Sequence, residues 1–148
     1  MAYKAIQLTN NAIPAVAAGG LIPLGRITRR VNANARCSGL DTFMVGTSAA
    51  DTITITEPGI YRIAFSASLV PTATGQLTVS LLENDTVLTS ETLQATADAT
   101  LGVSFMYLAR VLPNTETAIN VPATFQLQQT VGAINSGISN LIIEKVYG

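Results

Sequence analysis

The chain has 148 residues, 48% of them hydrophobic and only 11% charged, with no histidine, no tryptophan and one cysteine, Cys37. That length suits a single domain with its own core, and one cysteine excludes an intrachain disulfide. The missing histidine removes the commonest general base and zinc ligand, while a charged fraction well below the usual quarter implies that another copy of the chain covers part of the surface.

The chain opens on a short alternating run, 4–9, and then on "NAIPAVAAGGLIPLG" (11–25), whose two prolines and three glycines break it far short of the roughly 20 apolar residues of a membrane span. Polar residues Gln7, Thr9, Asn10 and Asn11 interrupt the place where the apolar region of a signal peptide would begin. Residues 1–20 are therefore expected to form an extended arm, with the folded domain over 21–148. Lys4, Arg26, Arg29, Arg30 and Arg36 make the first 36 residues +5 with no acid, whereas the remainder carries nine acids and three bases, −6. This split marks the five basic residues as candidates for an attachment arm facing an acidic partner or the acidic body of a neighbouring copy.

Runs suited to strands follow at short intervals: 21–31, 41–45, 52–56, 60–70, 76–83, 86–95, 100–112, 117–131 and 138–146. With 4–9 these make about ten, separated by turn residues and with hardly any helical spacing. From 60 to 69 the odd positions Tyr61, Ile63, Phe65, Ala67 and Leu69 are apolar and the even ones Arg62, Ala64, Ser66 and Ser68 small or polar, the pattern of a half-buried strand. Pro58-Gly59 before it suggests a hairpin with 52–56, and Asn84-Asp85 suggests a two-residue hairpin turn with positive φ. Many short strands without βαβ alternation predict an all-β antiparallel jelly-roll sandwich.

"TITITEPGIYRIAFSASL" (52–69), with its Pro-Gly-x-Tyr entry to a central strand, resembles the signature of the tumour-necrosis-factor and complement-globular-head jelly rolls, a group with relatives on bacterial spore surfaces. In the same order, "GLIPLGRIT" is similar to the first inner strand of that group, "LTVSLLENDTVL" to its polar-tipped hairpin and "SNLIIEKV" to its closing strand, so that the resemblance spans about 21–147. It implies a compact homotrimer. Tyr61, Ile63, Phe65, Phe105, Tyr107, Leu141 and Ile143 are then candidates for the trimer interface or the core. The chain departs from the group in lacking a Gly-x-y stalk and any heptad repeat. Asp41, Asp51, Asp85 and Asp98 stand isolated, without the clustered oxygens of a calcium site, and no metal or cofactor is expected.

Catalysis is not expected either, since no nucleophile elbow, phosphate loop or dinucleotide fingerprint occurs. No aromatic lies among the arginines of 26–36, so neither a stacking platform nor a basic groove for nucleic acid is expected. An unstalked trimeric jelly roll with a basic arm looks most like a bacteriophage virion protein: a capsid decoration protein, head fibre or spike on the capsid surface, bound to the major capsid protein or another virion protein. The alternative is a module that binds a receptor or a host-surface carbohydrate, and a spore-coat or surface-layer component is a third possibility.

Overall fold

The structure is a computed structural model that describes residues 4–31, 51–55, 58–111 and 123–147. Among these lie nine strands and no helix: β1 Lys4–Ile13, β2 Arg26–Val31, β3 Ile53–Ile55, β4 Gly59–Pro71, β5 Gly75–Glu83, β6 Thr86–Ala95, β7 Leu101–Val111, β8 Ala123–Val131 and β9 Ile134–Tyr147. They pair antiparallel in two sheets, one ordered β2-β1-β9-β4-β7 and the other β3-β8-β5-β6. The expected strand at 41–45 lies outside the described residues.

Alternation builds the sandwich. Tyr61, Ile63, Phe65 and Leu69 of β4, with Ile6 and Leu8 of β1 and Leu141 and Ile143 of β9, point from the five-stranded sheet into the core. Opposite them stand Ile53 and Ile55 of β3, Leu77, Val79 and Leu81 of β5, and Phe125 and Leu127 of β8. Each strand thus contributes one apolar face to a single layer between the sheets.

At the β5–β6 connection Asn84 and Asp85 both have positive φ, as a two-residue turn matched to strand twist requires. The Asn84 side-chain carbonyl accepts from the backbone N–H of Thr124 at 2.8 Å, tying the turn to β8. The expected hairpin across Pro58-Gly59 does not form. β3 pairs with β8 in one sheet and β4 with β7 and β9 in the other, so the chain crosses the core between them. Ile53 and Ile55 meet the same core as Tyr61 and Ile63, but from the opposite side. Glycine is needed at this crossing: a Cβ on Gly59 would lie 2.6 Å from the Tyr147 carbonyl oxygen.

The segment expected as an extended arm, 1–20, lies on the chain's own sandwich over its described residues 4–20. β1 is an interior strand, hydrogen bonded to β2 on one side and β9 on the other, with Ile6 opposite Ile143 and Leu8 opposite Leu141. Beyond it, the Asn10 side chain accepts from Ala12 N–H at 3.0 Å and donates to the Pro23 carbonyl at 2.9 Å, closing the base of the β1–β2 connection. That connection lies on the chain's own body. Val16 and Ile134 exchange two backbone hydrogen bonds of 3.0 Å, and Gly19, Gly20 and Ile22 pair with Gln129 and Leu127 of β8. The alanines and glycines of this segment have little bulk to bury, so backbone hydrogen bonds and the core side chains Val16 and Ile22 hold it in place.

Candidate oligomerisation interface

The outer face of the five-stranded sheet is the candidate site, because here outward positions of β7 and β9 are apolar where solvent would favour polar residues. Directly paired residues of neighbouring strands share a face, so the register defines rows across the sheet. Ala64, Met106 and Ile142 form one row, continued by Gln7 and Arg29. Beside it run Leu108, Arg62 and Glu144, in which the Arg62 guanidinium is ion-paired to the Glu144 carboxylate. On the other side run Ser104, Ser66, Asn140 and Thr9, followed by Gly102, Ser68 and Ile138.

Met106 is 64% exposed, Leu108 61%, Ile138 51% and Ile142 37%, so two apolar bands flank a polar one on a surface open to solvent. Asn140 accepts from Gln7 Nε2 at 2.8 Å and from Thr9 Oγ1 at 3.3 Å, which holds its amide flat across the polar row. Two shallow hollows of about 280 and 390 Å³ lie on this face, and Ser66 and Asn140 line both. Such a face suits contact with a protein surface: exposed apolar side chains, hollows to receive them, and charge confined to its margins, Arg62, Glu144 and Arg110 at one end and Arg26 and Arg29 along the β2 edge.

The two edges of the sandwich carry opposite charge. β2 forms one edge of its sheet, and the segment from Lys4 to Arg30 holds four bases and no acid. β6 and β7 form the opposite edges and lie in contact; with the turns that flank β6 they carry Asp85, Glu91 and Asp98 against a single base, Arg110 near the end of β7. Arg26 and Arg29 are exposed on the first edge, Asp85 and Asp98 on the second side. Two such edges attract each other between copies arranged head to tail and repel when like meets like.

The candidate residues from the sequence fall on the other side of the same strands. Tyr61, Ile63, Phe65, Leu141 and Ile143 are at most 1% exposed within a single chain, facing the second sheet. Phe105 and Tyr107 are half-buried and packed on that core, the Phe105 ring 5.5 Å from that of Phe65. Of the basic set, Lys4 begins β1, Arg26, Arg29 and Arg30 belong to β2, and Arg36 lies outside the described residues. The outward residues Met106, Leu108, Ile138 and Ile142 were not singled out by alternation alone. Their signal is the failure of alternation in "FMYL" and "LII", where both faces of the strand are apolar, as in a strand covered on both sides.

No family model matches the sequence, and no curated protein matches it by sequence. Solved structures do match by fold. The globular domain of zebrafish complement 1qA protein superposes with a TM-score of 0.70 at 14% identity, over 97% of this chain and 98% of that one. The Eiger TNF of S. frugiperda gives 0.68 at 8% identity, over 99% and 94%. PRD1 vertex protein P5 gives 0.56 at 17% identity, over 99% of both chains. The fold is thus that of the tumour-necrosis-factor and complement-globular-head jelly rolls, as the resemblance in the sequence implied.

Proposed function

We propose that the chain is a non-enzymatic structural protein that assembles as a homotrimer on the surface of a bacteriophage virion. The observation that carries the assembly is the exposed apolar face of Met106, Leu108, Ile138 and Ile142, set between edges of opposite charge. An identical-patch dimer would bring like edges or one shared face together. Head-to-tail contact, with the basic β2 edge of one copy against the acidic β6–β7 side of the next, uses two different patches and closes into a ring when the rotation permits. Three copies are favoured because the resemblance to the complement and TNF jelly rolls, whose fold the chain shares over nearly its whole length, implies a homotrimer.

The placement on a virion draws on the full-length likeness to a protein named for a vertex. A low charged fraction favours packing into a lattice over free solubility, and three equivalent attachment points per trimer would raise weak single contacts to stable binding. Static light scattering on the purified chain tests the stoichiometry, with a trimer expected and a monomer at micromolar concentration overturning it. Immunogold labelling of particles purified from the source organism tests the location. Label on capsid surfaces is the expected result, and label confined to the host envelope or to soluble protein defeats the virion placement.

A further inference from the structure

Building on the homotrimer reading, we infer that the polar row Thr9, Asn140, Ser66 and Ser104 selects the register in which copies dock, and with it a single stoichiometry. The row crosses the middle of the face that a neighbouring copy would cover, between the apolar bands of Met106 and Ile138. Within the chain it is only half satisfied. Asn140 Oδ1 accepts from Gln7 and Thr9, but among the described residues nothing accepts from its Nδ2, and the hydroxyls of Ser66 and Ser104 have no hydrogen-bond partner.

Water serves these groups in a free chain. When a second copy covers the face, each group must find a partner on that copy or be buried without one, which is costly for any polar group. Registers that lay the row against Met106, Leu108 or Ile142 of the neighbour are therefore disfavoured, and registers that bring polar groups to it survive. Apolar contact alone makes no such distinction, because greasy bands slide past one another at little cost. A lone buried asparagine acts in this way in coiled coils, where it fixes register and oligomeric state at some expense of stability. The second copy is the fitting occupant because it carries the complementary edge charges, which draw copies together head to tail before the row discriminates among registers.

The test replaces the row by apolar residues of similar size, Asn140→Leu in one variant and Ser66→Val with Ser104→Val in another. Native mass spectrometry and sedimentation velocity read the species present, and circular dichroism confirms that each variant is folded. The wild type is expected to show one stoichiometry, and each variant two or more, with a raised melting temperature. The serine pair breaks no hydrogen bond within the chain, so it decides the matter if Asn140→Leu fails to fold or the two variants disagree. A single wild-type stoichiometry in the serine pair, or its collapse to monomers, overturns the assignment. A monomeric wild type instead removes the homotrimer reading on which it rests, a result distinguishable from the others.

Discussion

Met106→Ala combined with Leu108→Ala is expected to shift assembly without touching the fold of the single chain. Both side chains are more than three-fifths exposed in one copy, at 64% and 61%. Complete burial of a methionine or leucine is worth about 1.5–3 kcal/mol, so the part left to association is about 1–2 kcal/mol each and about 2–4 kcal/mol for the pair at one interface. A ring of three has three identical interfaces, which brings the loss to about 6 kcal/mol or more per trimer. For three chains forming one trimer, the midpoint concentration varies as the square root of the dissociation constant, so it rises about a hundredfold. Sedimentation velocity over a dilution series from nanomolar to micromolar chain measures that midpoint. The unfolding free energy of the isolated chain is expected to change by less than about 0.5 kcal/mol, as for other surface sites. An unchanged midpoint, or a large loss of stability in the monomer, refutes the assignment of this face to association.

Other expectations follow from the core and the edges. Tyr61→Ala removes a ring with 0% exposure and is expected to cost about 3 kcal/mol or more in chemical denaturation; a smaller change would mean that the core tolerates its loss. Deleting residues 1–19 takes away β1 from between β2 and β9, and is expected to abolish soluble expression rather than to release a folded domain without its arm; a folded product with native circular dichroism would contradict the sheet order. Arg26→Glu with Arg29→Glu reverses the exposed charge of the β2 edge and is expected to weaken association by up to about 1 kcal/mol per pair, and by less as salt is raised; a salt-independent effect would mean that these edges do not meet.

Residue pattern carried the sandwich further than it carried the assembly. The alternation of β4 and the turn at Asn84-Asp85 were legible because each depends on near neighbours: a period of two, and residues that tolerate positive φ. The crossing at Pro58-Gly59 was not, since a hairpin and a passage between facing sheets leave the same alternation on both sides of the turn. Residues 16–22 were misjudged for another reason. Their order comes from backbone bonds to Leu127, Gln129 and Ile134, which leave no mark on residue type, and from burial of Val16 and Ile22, two apolar residues too far apart among alanines and glycines to show a period. The proposed interface was half visible: "FMYL" and "LII" carry apolar residues on both faces of their strands, but alternation points first to the larger aromatics, which pack in or against the core.

The pairing of β1 with β9 has a consequence for how the protein comes into being. Ile6 lies opposite Ile143, and Lys4 opposite Lys145, so the pairing that seats β1 in the five-stranded sheet cannot be completed until residue 145 has been made. During synthesis β1 leaves the ribosome with none of its β9 partner made, and its apolar residues Ile6 and Leu8 stay uncovered by that strand until β9 emerges. Closure then joins segments more than 120 residues apart in sequence, a slow contact for a polypeptide to find. Crowding of nascent chains on one message would then favour mispaired aggregates over correctly folded chains. A circular permutant that links residue 147 to residue 4 through a short loop makes this pairing local, and should refold faster than the natural order.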